Sequence, residues 1–456
     1  MPEIKMKIVY GKDFNEHWKT ASHQKEDAAV EKPVREIIEA VRTEGDAAVR
    51  RYAAMFDRSS PENLETPLQK IREAVANLDK TEPDLAKALR FSAENIRRFS
   101  LKQKEQFMDF EFENVPGVFT GQKIIPVNSA GIYVPGGRYP LISSALMCLI
   151  PAFCAGTGEV CFASPPGSDG SPDKRILGTA GIAAEVCGRL EPDPGKNSFR
   201  AFSMGGAQAI AALSLGTQTV PRCDMIAGPG NKYVAEAKRY LYGRTGIDFI
   251  AGPSDILVIT DENSAADIAA ADMLAQAEHD PDARVRALVP DAVMAEALIK
   301  ALNKRLENFS AGDSSSHTKE IAQQSLTGGG LIIIYDKKEE AQRIANAIAP
   351  EHLELQVSIP DMWIPELKNY GSLFIGSLSA EVLGDYSSGL NHTLPTFGCS
   401  RFTGGLSVRH FLKTVTTLRC ERKAGYAGAL ETAQTIALAE DLSAYAESAK
   451  AEVRII

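Results

Sequence analysis

The sequence Met225-Ile-Ala-Gly-Pro-Gly-Asn-Lys-Tyr-Val-Ala-Glu-Ala-Lys-Arg-Tyr240 decides the fold class. It has the pattern of a short apolar strand, a glycine-rich turn and an amphipathic helix, which is the repeating unit of an α/β sheet. Such a turn can hold a phosphate at the helix N-terminus. The turn matches neither Gly-x-Gly-x-x-Gly nor Gly-x-x-x-x-Gly-Lys-Ser/Thr, so a dinucleotide would be held here without the standard fingerprint.

Apolar runs of similar length recur on both sides of this unit and alternate with alanine-rich helical stretches. This alternation predicts open, largely parallel α/β sheets, and the number of runs predicts two of them. Two further strand-to-helix turns, Pro135-Gly136-Gly137 and Gly205-Gly206-Ala-Gln208, indicate one ligand crevice at the carboxyl edge of a sheet. The apolar runs lie at residues 131–134, 159–163, 256–259 and 331–335.

The two ends of the chain show a different pattern. Residues 32–55 and 67–99 show helical periodicity with charged outer faces, and residues 429–456 are again helical. At 456 residues the chain is long enough for two or three domains, each with its own core. We therefore expect helical segments at both ends of a central α/β region.

Charge and hydropathy narrow the classes of protein. With 50 Lys and Arg against 59 Asp and Glu, the net charge is -9. The sequence has no long basic run, so a nucleic-acid partner is not expected. The N-terminus lacks the apolar core of a signal peptide, and the most apolar run, residues 145–155, is too short to span a membrane. We expect a cytoplasmic enzyme with neither a nucleic-acid nor a membrane partner.

Gln276 and His279 indicate a candidate metal site, because they stand three residues apart in a helix-like stretch. One helical face would present both side chains. An amide oxygen and an imidazole suit Zn²⁺, and an acidic ligand such as Asp385 would complete most of the shell. An isolated polar pair on a solvent-exposed helix face is the alternative that this spacing leaves open.

The adjacent Glu351 and His352 indicate a candidate proton-transfer site. Pro350 disfavours helix at the residue before it, so a helix is predicted to start near Glu351. A carboxylate beside an imidazole can act as a general acid and base. The alternative is structural, since a Glu-His pair beside a proline also caps helices.

Five motifs in one order along the chain resemble the histidinol dehydrogenase family. The similarity runs from about Arg35 to the C-terminus, and several long motifs together are more specific than any one of them. The motifs are Ile226-Ala-Gly-Pro-Gly-Asn-Lys-Tyr-Val-Ala-Glu-Ala-Lys238, Gly246-Ile-Asp-Phe-Ile-Ala-Gly-Pro-Ser254, Gln276-Ala-Glu-His279, Pro350-Glu-His352 and Gly384-Asp-Tyr-Ser-Ser-Gly-Leu-Asn-His392.

The resemblance implies a set of residues for each part of the site. The family binds zinc with three ligands from one chain and a fourth from the C-terminal segment of the partner subunit. The family's zinc ligands correspond to Gln276, His279 and Asp385, and its acid/base pair corresponds to Glu351 and His352. Its NAD contacts correspond to Tyr133, Gln208 and Asn231. The family positions near the substrate correspond to Ser254, His392 and Glu440.

The implied reaction is a four-electron oxidation of a small primary alcohol to a carboxylate through a bound aldehyde, with two successive NAD⁺ molecules. L-Histidinol, converted to L-histidine in histidine biosynthesis, is the favoured substrate. His352 would take the hydroxyl proton as each hydride leaves, and zinc would orient the substrate. Glu351 would activate the water that hydrates the aldehyde, because a gem-diol is needed for the second hydride transfer.

The chain departs from the family at the expected fourth zinc ligand. The family has a histidine there, whereas this sequence reads Ala439-Glu-Asp-Leu-Ser-Ala-Tyr445. A phenol is an uncommon zinc ligand, and its ordinary pKa of about 10 means that it would need the metal to ionise. Tyr445 could ligate as phenolate, water or substrate could fill the position, or zinc could bind weakly or be absent. A weakened or water-completed site is favoured.

A second departure concerns substrate choice. Arg138, which follows the Gly136-Gly137 turn, and the pair Arg409-His410 resemble paralogues that oxidise sulfopropanediol. A solvated arginine after a glycine turn is the structural alternative for Arg138. A histidinol dehydrogenase paralogue with a non-imidazole substrate is therefore one alternative. A catalytically impaired relative that binds a small molecule is the other.

The fold implied by the resemblance is two incomplete Rossmann-like open sheets with helical N- and C-terminal extensions, in an intertwined homodimer with shared active sites. The C-terminal extension would contribute to the partner's site. The predicted division is 1–28 as N-terminal extension, 29–132 with 256–406 as the domain with the metal and acid/base residues, 133–255 as an inserted NAD-binding domain, and 407–456 as C-terminal extension.

Overall fold

The structure is a computed structural model. It describes residues 4–14, 28–57, 59, 61–136, 141–191, 198–250, 252–308, 315–422 and 424–450. The strands are β1 Lys7–Tyr10, β2 Glu65–Thr66, β3 Phe110–Val115, β4 Val118–Pro126, β5 Ser129–Tyr133, β6 Glu159–Ser164, β7 Ser198–Ser203, β8 Met225–Ala227, β9 Gly246–Ile247, β10 Asp255–Thr260, β11 Arg284–Val289, β12 Leu331–Ile334, β13 His352–Gln356, β14 Ser372–Ile375 and β15 Leu412–Cys420.

The α-helices connect these strands or cover the sheets. They are α1 Ala28–Glu44, α2 Asp46–Phe56, α3 Leu68–Thr81, α4 Pro83–Lys104, α5 Ile142–Ala155, α6 Lys174–Val186, α7 Gly206–Leu215, α8 Lys232–Leu241, α9 Ala266–Ala277, α10 Ala292–Glu307, α11 Ser315–Gly328, α12 Lys338–Ile348, α13 Glu381–Tyr386, α14 Ala424–Ala439 and α15 Ser443–Ser448. Within the described ranges, no helix is both long enough and apolar enough to span a bilayer.

The first sheet has the strand order β2-β7-β6-β5-β8-β9. Its strands run parallel except β2, which pairs antiparallel with β7. The chain moves outward from β5 to β6 and β7 and then returns to place β8 on the other side of β5. This reversal creates a crevice at the carboxyl ends of the strands, which is where doubly wound sheets bind ligands.

The second sheet has the strand order β1-β12-β11-β10-β13-β14, and all of its strands run parallel. Its central strand β10 is buried at every position, as expected for a strand covered by helices on both faces. The prediction of two largely parallel α/β sheets is confirmed.

A third sheet has three antiparallel strands in the order β15-β4-β3 and was not predicted from the sequence. Strand β3 is exposed along its whole length, and β15 is mostly exposed. The C-terminal helices α14 and α15 follow β15. Because the register pairs Cys420 with Val118, α14 starts near the β3–β4 turn.

The N-terminal helices α1–α4 pack against the first sheet and its helices. The predicted division instead grouped residues 29–132 with 256–406, so the structure differs from it here. Helix α3 approaches α6 closely because α6 presents glycine at the contact: a Cβ on Gly178 would lie 2.5 Å from Leu78 Cδ1. Strand β1, in contrast, joins the second sheet.

The Gly228-Pro-Gly-Asn turn after β8 is held by a buried ion pair between Lys238 and Asp248. Lys238 Nζ donates to the Gly228 carbonyl (3.0 Å), and Asp248 Oδ2 accepts from the Gly228 N–H (2.9 Å). Gly228 has φ 123°, and a Cβ there would overlap the Tyr133 carbonyl oxygen. Only glycine fits this close approach of two backbone segments.

Asp46 joins the start of α2 to the loop after α7. Its carboxylate accepts hydrogen bonds from Thr217 Oγ1 (2.5 Å) and from the Thr219 N–H (3.3 Å). Burial acts to raise the pKa of Asp46, but the threonine donors and Arg50 outweigh it, so the pKa lies below its ordinary value.

Replacing Asp46 with alanine should lower the free energy of unfolding at pH 7 by about 1.5–3 kcal/mol, the range for hydrogen bonds to a charged group. Since folding lowers this pKa, the contribution is present above the unfolded-state value of about 3.9 and is lost as the pH falls through the folded-state value. Urea unfolding at neutral and acidic pH measures the difference. The control Glu39→Ala, in an exposed pair with Arg42, should change stability by less than about 1 kcal/mol. A deficit in Asp46→Ala that did not shrink in acid would contradict this account.

Candidate metal and acid–base site

His352 is the first residue of β13, at the amino edge of the second sheet. The predicted helix start near Glu351 is wrong. Helix α12 ends at Ile348, and Ala349 adopts a left-handed conformation with φ 51° and ψ 63°. Pro350 then leads the chain into the strand, where pairing with β10 and β14 supplies the backbone hydrogen bonds that a helix would have provided.

The His352 ring contacts acceptors at both nitrogens. Nδ1 lies 3.3 Å from the Asp255 carbonyl oxygen and 3.2 Å from Glu381 Oε1, while Nε2 lies 3.7 Å from Asp385 Oδ1. Because two acceptors face Nδ1, the neutral ring carries its proton on that atom. The Nε2 lone pair of the neutral ring is then free. Burial acts to lower the pKa of His352, but the surrounding carboxylates outweigh it and raise the pKa well above its ordinary value.

Glu351 is held by a reciprocal pair of hydrogen bonds with Asp255. Its Oε2 accepts from the Asp255 N–H (3.0 Å), and its own N–H donates to Asp255 Oδ1 (2.6 Å). Buried Arg286 lies 3.5 Å from the other oxygen of Asp255. Burial raises the pKa of Glu351 to about 8, although nearby His352 opposes the shift. A carboxyl group that titrates near neutral pH is suited to proton transfer.

The short helix α13 presents two carboxylates, Glu381 and Asp385, one turn apart on the side of His352. Burial raises the pKa of Glu381 to about 7. For Asp385 the effect of burial is outweighed by His352, so its pKa lies below the ordinary value. One ligand atom from each of His352, Glu381 and Asp385 lies within 4.8 Å of the others, which is close enough to hold a metal ion.

The sequence-predicted metal ligands Gln276 and His279 lie at the C-terminal end of α9. Gln276 is buried, and within the part of the chain that the structure describes neither its Oε1 nor Asp385 Oδ1 has a hydrogen-bond partner. His279 follows the helix, and its overall surface is exposed. Desolvation lowers the pKa of its ring, and the nearby Asp385 carboxylate opposes this shift. Buried oxygens without partners are costly unless a ligand satisfies them, and this set of nitrogen and oxygen donors fits zinc.

Other polar residues behind the site were missed by the sequence reasoning. Gln356 Nε2 donates to Asp272 Oδ2 (3.0 Å) and to Glu354 Oε2 (2.7 Å), all three being buried. Periodicity could have found this group together with Glu381. Asp272 stands four residues before Gln276 on its helix, and Glu381 stands four residues before Asp385 on its own. Glu354 stands two residues after His352 and therefore lies on the same face of the strand.

The predicted cofactor residues lie around the carboxyl edge of the first sheet. Tyr133 ends β5, and its hydroxyl oxygen accepts from the Gly206 N–H (3.1 Å). Gln208, in the first turn of α7, is 1% exposed, and neither its amide nitrogen nor its oxygen has a hydrogen-bond partner in the described ranges. The Asn231 side-chain oxygen accepts from the Tyr233 and Val234 N–H groups and so caps α8.

The predicted substrate residues divide into two groups. His392 Nε2 lies 3.0 Å from Ser143 Oγ at the start of α5, and Ser254 immediately precedes β10. This contact brings the carboxyl edge of the first sheet toward the amino edge of the second. Glu440, in the turn after α14, and Tyr445, on α15, are by contrast exposed. Helices α14 and α15 pack against each other, and α14 contacts β4. Tyr445 is 71% exposed.

Of the residues singled out for an altered substrate, the structure describes Arg409 and His410. Arg138 lies outside the described residues. Arg409 is exposed, and its guanidinium donates to Thr403 Oγ1 (3.2 Å). His410 Nδ1 accepts from the Ser407 N–H (3.2 Å) in a capping box, which is a structural role.

Comparison with known proteins tests the resemblance carried by the five motifs. The family model described as histidinol dehydrogenase matches residues 20–454. A histidinol dehydrogenase of Aquifex aeolicus is 40% identical over 422 residues, which cover 92% of each chain. One of Methylococcus capsulatus is 38% identical over 461 residues and covers 100% of both chains.

A solved structure gives the same result. The crystal structure of histidinol dehydrogenase from Elizabethkingia anophelis has a TM-score of 0.88 to this chain at 31% identity, covering 100% of this chain and 99% of the other. The resemblance is confirmed over nearly the whole length. The chain belongs to the histidinol dehydrogenase family.

Proposed function

We propose that this protein oxidises L-histidinol to L-histidine with NAD, and that zinc orients the substrate. The observation that carries the proposal is the placement of His352: Nδ1 lies between two acceptors, and Nε2 lies 3.7 Å from Asp385 Oδ1, which has no hydrogen-bond partner among the described residues. A base and a metal-binding group therefore adjoin one another. Membership of a family of NAD-dependent oxidoreductases supports the same reaction.

His352 is the base in both oxidation steps. When bound, NAD accepts the hydride, and zinc supplies positive charge that orients the substrate. In each step one hydride leaves the substrate carbon and one proton leaves its hydroxyl group. The surrounding carboxylates raise the pKa of His352, so the ring must first release its Nε2 proton to act as the base. In that neutral form Nε2 takes the substrate proton, because Nδ1 keeps its own. Glu381, 3.2 Å from Nδ1, stabilises the imidazolium that forms.

Glu351 acts between the two oxidation steps. An aldehyde has no hydroxyl proton to lose, so water must add to its carbonyl carbon before the second hydride can leave. Glu351 takes a proton from that water in its ionised form. Its pKa of about 8 keeps it exchangeable near neutral pH, and Asp255 holds one of its oxygens in place.

Gln276, His279 and Asp385 are the ligands that would hold zinc, and Tyr133, Gln208 and Asn231 would line the NAD site. Ser254, His392 and Glu440 would contact the substrate. The contact between Ser143 and His392 supports transfer between the two sites, because it joins the helix after β5 to the segment after α13.

The second subunit of an intertwined homodimer would complete this site. Exposed apolar residues on the C-terminal helices support this assembly, including Ile436 (55% exposed), Leu438 (57%) and Leu442 (41%). Phe110 and Phe112 on β3 are each 53% exposed. Burying such surfaces against a second copy would stabilise the dimer and bring the partner's C-terminal segment to the site.

NADH formation by zinc-supplemented protein with L-histidinol tests the proposal. We expect two NADH per histidinol consumed and no accumulation of free aldehyde. A parallel panel of small primary alcohols includes sulfopropanediol. Activity on another alcohol without activity on histidinol would overturn the histidinol assignment in favour of a paralogue. Binding of a panel compound without any NADH would leave the catalytically impaired relative.

Tyr445 is the specific observation that favours the paralogue as a second candidate, since the family has histidine at this position. Tyr445→His should raise zinc affinity, measured by competition with a chelator, because imidazole is the better neutral ligand. We expect a gain of about 10- to 100-fold, as for changes of groups that support a metal. Tyr445→Phe is the control, and equal affinities in all three proteins would exclude the position from the zinc shell.

A further inference from the structure

Asp57 is a half-buried residue whose carboxylate has no assigned role in the reaction. It follows α2, and its Oδ2 is enclosed without a hydrogen-bond partner among the described residues. Burial raises the pKa of Asp57 to about 6. Since an unsatisfied buried carboxylate is costly, a ligand that donates hydrogen bonds would remove a real penalty.

The position of Asp57 is defined by its neighbours at the carboxyl edge of the first sheet. A Cβ on Gly205 would lie 3.2 Å from Asp57 Oδ1 and 2.7 Å from Pro165 Cγ. Asp57 therefore lies between the loop after β6 and the start of α7. Two buried groups at this edge, the Ser164 hydroxyl at the end of β6 and the Gln208 amide, also have no hydrogen-bond partner among the residues described.

The strand order of the first sheet indicates a function for a carboxylate at this carboxyl edge. In doubly wound sheets that bind NAD, an acidic residue at the end of the second strand accepts hydrogen bonds from the adenosine ribose. The order β7-β6-β5-β8 makes β6 the second strand here. Its end reads Ser164-Pro165-Pro166 and has no acidic residue. Asp57 reaches the same place from a different element.

We propose that Asp57 accepts hydrogen bonds from the adenosine ribose diol of NAD and disfavours the 2′-phosphate of NADP, an inference that rests on the proposed NAD-dependent function. The nicotinamide end must reach His352, on the side where α5 contacts His392. Asp57 lies between the ends of β6 and β7, one to two strands from β5, or about 5–10 Å at the usual strand spacing. That separation suits the opposite end of an extended dinucleotide.

A structural role is the competing explanation, because the Asp57 carboxylate lies near the N-terminus of α7 and could stabilise the helix dipole. The two roles differ in their effect on stability. If Asp57 stabilises α7, Asp57→Asn lowers the melting temperature of the cofactor-free protein. If Asp57 is a cofactor contact, the variant keeps or raises that temperature, because a partly buried charge with an enclosed, unpartnered oxygen is removed.

The test is calorimetric titration of wild type, Asp57→Asn and the control Glu62→Gln, an exposed carboxylate five residues away, with NAD, NADP and 2′-deoxyadenosine NAD. We expect Asp57→Asn to weaken NAD binding by about 10- to 100-fold, as for lost hydrogen bonds to a charged group. The 2′-deoxy analogue should bind the wild type about as weakly as NAD binds Asp57→Asn. Its affinity for Asp57→Asn should be little lower than its affinity for the wild type. The gap between NAD and NADP should narrow in Asp57→Asn.

The outcomes separate this inference from the proposed function. If wild type binds NAD and Asp57→Asn shows the expected losses, the inference stands even without histidinol turnover, and only the proposed reaction fails. Unchanged NAD affinity in Asp57→Asn overturns the inference while turnover continues. The inference is also overturned if Asp57→Asn has a lowered melting temperature and the 2′-deoxy change weakens binding to Asp57→Asn as much as to the wild type. The role in stabilising α7 would then be favoured.

Discussion

His352→Asn lowers kcat with L-histidinol by about 10²- to 10⁴-fold, the contribution of one positioned general base. The loss follows from geometry, because Nε2 is the ring atom left free once Asp255 and Glu381 engage Nδ1. Asparagine keeps a polar group in a buried position but cannot take a proton at neutral pH. Steady-state NADH formation at saturating substrate and cofactor measures the effect.

The matched control for this variant is His317→Asn, at an exposed position on α11. We expect its kcat to equal that of the wild type. Zinc content and NAD affinity of His352→Asn should also stay near the wild-type values, since the lost group acts on the proton. A His352→Asn enzyme within threefold of wild-type kcat would show that another group is the base, and Glu351 would then be tested first.

The second large effect concerns the metal. Asp385→Asn should bind zinc at least about 100-fold more weakly, since even supporting residues around a metal site contribute 10- to 100-fold. Asp385 supplies the negative charge in the proposed ligand set, and amide replacement removes it while preserving shape. Zinc per protomer after dialysis against a chelator measures the change, and turnover should fall in parallel and partly recover with excess zinc.

Glu381→Gln distinguishes two ligand sets that share Asp385. The structure places His352, Glu381 and Asp385 close enough to hold an ion, whereas the family resemblance implies Gln276, His279 and Asp385. We expect Glu381→Gln to retain zinc and Gln276→Ala to lose it. The opposite result would move the metal toward β13 and make His352 a ligand, which is incompatible with its proposed role as the base.

Local patterns were sufficient for the fold class and for part of the site. The strand–turn–helix unit at residues 225–240 predicts a parallel α/β sheet because side-chain period and turn chemistry are properties of adjacent residues. The adjacency of Glu351 and His352, and the spacing of Gln276 and His279, are likewise visible without a fold. The family resemblance supplied the roles that we predict for these residues.

The sequence by itself therefore determined that the protein has two parallel sheets and which polar pairs deserve testing. Only the tertiary structure decided that α1–α4 cover the first sheet, that Asp255 holds Glu351, and that Glu381 and Asp385 meet the His352 ring. The physical reason is distance along the chain. Periodicity reports which face of an element is apolar, but the partner of that face, or of a buried carboxylate, is selected by packing between segments far apart in sequence.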